Sequence, residues 1–200
     1  QRIFDVGCGN GLFFELLKNK KVDYLGVDSS KKLILEARKK YPKAKFFIGD
    51  ALNLKFSKNN FNSPWRRFDL IFSFAFLHHL PGEKMRQDFL KNIYRLLKPQ
   101  GYFICTCWNS FAGRKMKYIR KYNKLWRQGK SKLDYNDSLV PWKDAKGKIL
   151  AEIYYHRFGQ AEIKKLFESV GFKIVELFYE KNGKKSDVKK ADNLCVVGKV

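Results

Sequence analysis

The sequence predicts a three-layer α/β fold around a doubly wound, mostly parallel sheet of seven strands. Short apolar runs that end in glycine or an acid alternate with segments whose apolar residues recur at helical spacing. The alternation extends over all 200 residues, without an internal repeat or a separating linker. A hydrophobic content of 44% is sufficient for one sizeable core. We therefore expect a single domain over residues 1–200.

The first predicted strand runs directly into a glycine-rich turn. Apolar Ile3, Phe4 and Val6 lead into the run Gly7-Cys8-Gly9-Asn10-Gly11. Glycine tolerates positive φ and lets a ligand approach the backbone closely. We expect a helix next, with Leu12, Phe13, Leu16 and Leu17 on one stripe and its free N–H groups directed at the turn. The pattern predicts a ligand site at Gly7, Gly9 and Gly11.

Two further predicted strands end in acids at the same sheet edge. The run Tyr24–Val27 is followed by Asp28 and Ser29, and Asp28 lies twenty-one residues after Gly7 (28 − 7). That spacing fits a carboxylate bound to a ribose diol. The run Lys45–Ile48 leads through Gly49 to Asp50 and Ala51, where Asp50 is placed to accept from an adenine amino group. These residues predict an adenosine site.

Asp5 distinguishes this site from a dinucleotide site. The glycine spacing is G-x-G-x-G rather than G-x-G-x-x-G, and an acid next to the turn suits a ligand ammonium better than a pyrophosphate. S-adenosylmethionine carries a ribose, an amino acid end and a sulfonium, but no phosphate. A fourth strand, Phe68–Ser73, opens into Phe74 at the same edge. We therefore predict an S-adenosylmethionine site that includes Asp5, Ser73 and Phe74.

The later segments continue the alternation. Helical spacing predicts helices over Pro81–Lys98 and Gln160–Val170, and apolar runs predict strands over Tyr102–Cys107, Phe172–Phe178 and Leu194–Val200. The four cysteines form no C-x-x-C pair, so we expect reduced thiols and no metal site.

Residues 108–154 form a predicted basic, aromatic insertion for substrate binding. Acids are absent between Arg114 and Lys132, where cations alternate with Tyr118, Tyr122 and Trp126. The chain carries 42 Lys and Arg against 19 Asp and Glu, a net charge of +23. Such a run suits a phosphate backbone and unstacked bases, and its alternative is a solvated helix face. The cations predicted to contact the substrate are Lys117, Arg120, Lys121 and Lys124.

The glycine motif, the ribose acid, the adenine acid and the fourth-strand motif together resemble the class I S-adenosylmethionine-dependent methyltransferases. The resemblance covers residues 1 to about 108 and implies a Rossmann-like sheet whose last strand is antiparallel. It implies a methyltransferase, EC class 2.1.1.

Motifs in the second half are similar to those of one branch of that class. The runs Ser138–Trp142, Tyr154–Phe158 and Asp192–Val196, with the pair His78-His79, resemble the tRNA wobble-uridine methyltransferases that esterify 5-carboxymethyluridine. That family includes the methyltransferase domain of the AlkB-homologue tRNA hydroxylase. The resemblance implies tRNA as substrate, a small zinc-binding activator as partner and a cytoplasmic location. The chain departs from the pattern of that family, because its linker from Trp142 to Tyr154 is short.

The acceptor chemistry implied by this resemblance needs little from the enzyme. A carboxymethyl group is ionised at neutral pH, so catalysis consists of positioning. We expect neutral His156 with Tyr155 and a more distant Arg157 to orient the carboxylate, at the entrance of a helix, and Trp142 to contact the substrate.

Two other functions are compatible with the sequence. One is a small-molecule methyltransferase that acts on a quinone or lipid precursor, which would need an apolar pocket rather than a basic insertion. The other is a non-catalytic RNA-binding module, although such a module would not need all of the cofactor residues.

No apolar run approaches the ~18 to 20 residues that span a bilayer, so we expect no membrane association. Gln1 already lies inside a predicted strand, so we expect the natural chain to begin upstream.

Overall fold

A computed structural model describes residues 1–53, 67–109, 111 and 116–200. The strands are β1 (Arg2–Val6), β2 (Asp23–Asp28), β3 (Lys45–Ile48), β4 (Phe68–Phe74), β5 (Leu97–Trp108), β6 (Asp137–Lys143), β7 (Ile149–His156), β8 (Lys173–Lys181), β9 (Lys184–Lys185) and β10 (Asn193–Lys199). The α-helices are α1 (Lys31–Lys40), α2 (Glu83–Leu96), α3 (Met116–Arg127) and α4 (Gln160–Glu168). Two short 3₁₀ helices span Leu12–Leu16 and Leu77–His79.

The main sheet has the strand order β3-β2-β1-β4-β5-β10-β8-β9. Strands β1 to β5 pair in parallel, and β10 runs antiparallel to both β5 and β8. The predicted Rossmann-like α/β fold with an antiparallel last strand is therefore confirmed. The two-residue strand β9 adds an eighth member to the seven predicted strands.

Side chains that alternate along the strands divide the core between two faces of the sheet. Phe4 and Val6 of β1 belong to the cluster beneath α2 and α4, whereas Ile3 belongs to the cluster beneath α1. Because successive strand residues point to opposite faces, one strand contributes to both clusters. Helices thus cover both faces of the main sheet, which gives the three layers that the sequence predicts.

The segment after the glycine turn differs from the prediction. Instead of an α-helix with one apolar stripe, it is a five-residue 3₁₀ helix, and Leu12 and Leu16 are 67% and 71% exposed. Gly11 precedes it at φ 75°, without a side-chain cap. The residues of this segment that pack against the core are Phe13, Phe14 and Leu17.

The predicted insertion comprises α3 and a separate hairpin. Strands β6 and β7 pair antiparallel, from Asp137 opposite His156 to Trp142 opposite Ala151. The expectation that Tyr155 and His156 lie at a helix entrance is wrong, because both belong to β7 and α4 begins only at Gln160.

Among the helices of the described ranges, none combines the length and hydropathy required to cross a membrane.

Candidate active site

The glycine turn lies where the sheet order reverses, between β1 and β4. All three glycines have positive φ, and the N–H groups of Gly7 and Cys8 both donate to the Val27 carbonyl, at 2.8 and 3.0 Å. A Cβ at Gly11 would approach Phe46 Cζ to 2.7 Å, whereas one at Gly9 would meet only Leu33, at 3.9 Å. Ligands of open α/β sheets bind at such a switch point. The backbone at Gly9 is therefore open to a close approach.

Asp28 connects the turn to the end of β2. Its Oδ2 accepts from the Gly9 N–H at 2.9 Å and its Oδ1 accepts from the Ser30 N–H at 2.8 Å. A carboxylate oxygen has more than one acceptor site, so both oxygens retain the capacity to accept from a ligand hydroxyl. Asp28 is thus placed to shape the turn and to bind a ribose.

Asp5 is a buried acid under the same turn. It is 2% exposed, and the Tyr24 hydroxyl donates to its Oδ2 at 2.7 Å. Burial raises the pKa of Asp5 to about 7, the Tyr24 hydrogen bond opposes that rise, and the nearby Asp28 charge adds to it. A desolvated carboxylate in this state gains from pairing with a cation. Its environment therefore suits a ligand ammonium.

A cavity of ≈ 610 Å³ adjoins these groups. Its lining combines one acid with turn backbone and apolar side chains: Asp5, Gly7, Cys8, Gly9, Leu12, Phe13, Leu16 and Phe74. The other predicted cofactor residues occupy neighbouring strand ends. Ser29 and Asp50 are exposed and Ala51 is buried, whereas Ser73 is fully buried within β4.

Four rings from three elements meet beyond the ends of β4 and β5. This ring cluster consists of His78 and His79 in the second 3₁₀ helix, Trp108 at the end of β5 and Tyr155 in β7. Tyr155 lies 4.7 Å from His79, 5.3 Å from Trp108 and 5.5 Å from His78, between ring centroids. The loop reaches this position through Ala75, whose φ of 53° is unusual for a residue with a Cβ.

Hydrogen bonds assign different protonation patterns to the two histidines of the ring cluster. The Trp108 N–H donates to His78 Nδ1 at 3.3 Å, so the proton of neutral His78 resides on Nε2. His79 Nδ1 lies 3.0 Å from the Tyr154 carbonyl oxygen, which only accepts, so Nδ1 carries the proton. The cluster therefore presents opposite tautomers side by side.

His156 belongs to a buried ion cluster instead. It is 4% exposed, and its Nδ1 and Nε2 each lie 2.6 Å from a carboxylate oxygen, of Asp137 and Glu162. Arg86 lies 3.7 Å from Asp137 and 3.9 Å from Glu162. The Tyr154 hydroxyl donates to Asp137 at 2.6 Å.

This arrangement contradicts the predicted neutral His156 that orients a substrate. Burial lowers the pKa of His156, but the hydrogen bonds to Asp137 and Glu162 outweigh it, so the pKa is raised. Carboxylates on both nitrogens favour the doubly protonated form of the ring, which joins β6, β7 and α4. Its two N–H groups are already committed to protein partners.

Comparisons with known proteins decide the family. Residues 4–105, about half of the chain, match the model described as a methyltransferase domain. The chain belongs to the methyltransferase family. The predicted enzyme class and the S-adenosylmethionine cofactor are thereby confirmed. The glycine turn, Asp5 and Asp28 fit that cofactor, with an acid for its ammonium and an acceptor for its ribose.

Among the proteins to which this chain is similar, three are themselves named as methyltransferases or as complexes that contain one. The tRNA (carboxymethyluridine(34)-5-O)-methyltransferase of Schizosaccharomyces pombe is 27% identical over 196 residues, which cover 89% of this chain and 76% of that protein. A solved SAM-dependent methyltransferase of Methanosarcina mazei has a TM-score of 0.74 at 22% identity, over 99% and 91% of the two chains. A Haloferax volcanii complex of the Trm112 methyltransferase activator with a methyltransferase gives a TM-score of 0.62 at 17% identity, over 99% and 81%.

Arg157 lies at the junction of the methyltransferase core and the insertion. Its guanidinium donates to Asn136 Oδ1 at 2.6 Å and lies 4.4 Å from the Phe111 ring centroid. Its Nε is buried and has no hydrogen-bond partner among the described residues. A donor in this state fits a ligand oxygen.

The four predicted substrate cations all lie on α3, whereas Arg114 and Lys115 of the same basic run fall outside the described residues. Lys117, Arg120, Lys121 and Lys124 are exposed, while Ile119 and Asn123 face inward. Trp142, at the far end of β6, is exposed as well. These predicted substrate residues thus lie on α3 and the β6–β7 hairpin, whereas the cofactor residues around Asp5 lie on the main sheet and its adjoining turns.

The sequence interpretation missed Arg86, Asp137 and Glu162. A signal for Arg86 existed, because it shares a helical stripe with Phe89, Leu90 and Ile93, and an arginine within an apolar stripe needs buried acid partners. Within the described ranges, no group of three or more His, Cys, Asp or Glu side chains is placed to hold a metal.

Proposed function

We propose that this methyltransferase transfers the methyl group of S-adenosylmethionine to a tRNA wobble uridine and esterifies the carboxylate of 5-carboxymethyluridine. The observation that carries the proposal is the position of α3 and the β6–β7 hairpin. This basic, aromatic unit joins the catalytic edge of the sheet through Tyr155, which packs in the ring cluster. The name of the Schizosaccharomyces pombe relative supports the same acceptor.

The residues near that edge suit an acceptor that is already ionised. A carboxymethyl group carries its charge at neutral pH, so no general base is required. Arg157 retains a buried Nε donor that fits one carboxylate oxygen, and the half-buried Trp108 indole, which packs on buried Tyr155, offers a ring to a base. When bound, S-adenosylmethionine supplies an electrophilic methyl group. In this revised assignment His156 holds β7 in place and does not contact the acceptor.

The cavity does not favour the quinone or lipid alternative. Its apolar side chains, Leu12, Phe13, Leu16 and Phe74, surround the same space as Asp5 and the glycine turn. A cofactor that occupies this space leaves no separate apolar pocket for a lipid precursor among its lining residues. The predicted cytoplasmic location remains part of the tRNA proposal.

An activator subunit also belongs to the proposal. The edge strand β3 exposes Phe47 and Ile48, and an apolar edge strand is a surface on which another chain can pair. We propose that the small zinc-binding activator, which the sequence resemblance implies, pairs there; the Haloferax volcanii complex is an example of a protein of this fold that binds a methyltransferase activator. Copurification of such a protein with wild type but not with Phe47→Asp supports this placement, and equal copurification contradicts it.

The decisive experiment identifies the product. Total tRNA that contains 5-carboxymethyluridine is incubated with the protein, with and without the activator, and with methyl-labelled cofactor, and its nucleosides are analysed by mass spectrometry. We expect label in a modified uridine and its release by mild alkali, because a methyl ester is saponified. Alkali-stable label on a base nitrogen or a ribose would exclude a carboxylate acceptor.

A further inference from the structure

The tip of the β6–β7 hairpin exposes three large apolar side chains. Trp142, Ile149 and Leu150 are 56%, 54% and 59% exposed. The turn between them has a defined shape, because Asp144 Oδ1 accepts from the backbone N–H groups of Lys146 and Lys148, both at 2.9 Å. Exposed apolar side chains held on a structured projection indicate a contact surface.

Strand alternation places Trp142 on the same face of the hairpin as the ring cluster. Ser138 pairs with Tyr155, Val140 with Ile153 and Trp142 with Ala151, and these pairs share one face. The four residue-to-residue steps from Ser138 to Trp142 span about 13 Å at the usual rise of a strand. That length equals about four stacked nucleotides at 3.4 Å each. A strand of nucleic acid that contacts Trp142 can therefore reach along this face of the hairpin towards the ring cluster, in which Tyr155 itself is buried.

Charge decides what kind of partner this surface fits. Lys143, Lys146 and Lys148 follow Trp142 in the same hairpin tip, and the one acid of the turn, Asp144, is engaged by backbone N–H groups. Helix α3, with its row of exposed cations, packs along β6. A flat indole among cations combines the two components of single-strand recognition, namely base stacking and phosphate contacts.

We infer that the hairpin tip binds an unpaired stretch of RNA, with the Trp142 indole stacked on one base and the hairpin lysines at the adjoining phosphates. The inference rests on the proposed function for the identity of the natural RNA. In that substrate Trp142 contacts a loop base a few nucleotides from the modified uridine. It contributes to RNA binding and not to the chemical step.

Binding of model RNAs tests the inference without any enzymatic activity. Fluorescence anisotropy measures the affinity of wild type, Trp142→Ala, Trp142→Phe and Ile149→Ala for an oligouridine of about ten nucleotides and for a duplex of equal length. We expect Trp142→Ala to weaken oligouridine binding about tenfold, and Trp142→Phe to retain most of it. Duplex binding stays unchanged, since paired bases offer no free face.

Ile149→Ala is the matched control, because it removes a comparable exposed apolar side chain from the same tip but no ring. It should alter oligouridine affinity by less than about twofold. Absence of oligouridine binding by wild type, unchanged binding by Trp142→Ala or an equal loss for the duplex would overturn the inference. An equal loss in Ile149→Ala would also overturn it, in favour of an apolar protein partner.

Steady-state methylation of tRNA separates this inference from the proposed function. We expect Trp142→Ala to raise KM for tRNA while kcat stays near wild type. A wild-type enzyme that methylates no tRNA contradicts the proposed function, whereas the oligouridine result still decides the inference. If the wild-type enzyme methylates a tRNA and Trp142→Ala methylates it with an unchanged KM, the inference about Trp142 is refuted while the proposed function stands.

Discussion

Asp5 should make cofactor binding depend on pH between about 5.5 and 7.5. Its carboxylate is 2% exposed, and burial raises its pKa to about 7. Only the ionised form pairs with a ligand ammonium, so protonation removes the attraction. The neighbours Tyr24 and Cys8 do not titrate in this range, since burial raises the pKa of each further above its usual value.

The size of the effect follows from that pKa. At pH 7.5 about three quarters of Asp5 is ionised, whereas at pH 5.5 the ionised fraction is about 3%, so affinity should fall about 25-fold, close to 2 kcal/mol. Stability changes in the opposite direction. A folded-state pKa above the unfolded value of 3.8 means that stability falls as pH rises from about 4 to about 7. Asp5→Asn should therefore stabilise the ligand-free protein at pH 7.5 by a few kcal/mol, at most about 4.

Titration calorimetry with two ligands checks this prediction. S-adenosylhomocysteine carries the amino acid end, and 5′-methylthioadenosine lacks it but keeps the adenosine. We expect the first to lose affinity towards low pH in wild type and to bind weakly at all pH values in Asp5→Asn. The second should bind equally well throughout. A flat profile for S-adenosylhomocysteine, or wild-type affinity in Asp5→Asn, would refute an ammonium contact at Asp5.

Three further variants test other parts of the structure. Asp28→Ala should weaken S-adenosylhomocysteine by about 1 to 3 kcal/mol in calorimetry, because the ribose loses its acceptor, and unchanged affinity would exclude that role. Replacing Lys117, Arg120, Lys121 and Lys124 by glutamine should reduce the slope of log K against log salt for tRNA by about three, with cofactor affinity intact. Identical slopes would mean that α3 is only a solvated face. His156→Ala should lower the free energy of unfolding in urea by about 3 kcal/mol near pH 6. The folded pKa of His156 is raised above 6.5, so this stabilisation is present below pH 6.5 and is lost as pH rises through the folded pKa. A loss of stability in His156→Ala that stays constant over the whole range from about pH 6 upwards would contradict a charged His156 between its carboxylates.

The sequence was sufficient for the strands and the cofactor turn because their signals are local. Gly7, Gly9 and Gly11 occupy positive φ, as their spacing predicts, and Asp28 follows a buried strand at the same sheet edge. The helix after the turn was mispredicted for a physical reason. Leu12 and Leu16 fit an α-helical stripe, but the segment winds as a 3₁₀ helix and leaves both exposed at the cavity.

The substrate side was harder to predict because its geometry depends on long-range pairing. The interval from Trp142 to Tyr154 was interpreted as a short linker, yet it contains most of β7 and a turn with Gly147 at φ 83°. No local pattern indicates that Asp137 pairs with His156 across that hairpin. The partners Arg86 and Glu162 come from two other helices, and only the fold brings them to the same histidine.

The contrast between Tyr155 and His156 follows from the two faces of one strand. The two are adjacent in sequence, and the motif that contains them suggested a joint catalytic role. In β7 they point to opposite sides, so Tyr155 enters the ring cluster while His156 enters the ion cluster with Asp137. Because each bond of the ion cluster restrains β7, it also restrains the ring of Tyr155. Substitution of His156 should then impair methyl transfer through the position of Tyr155, while cofactor binding at the distant glycine turn stays intact.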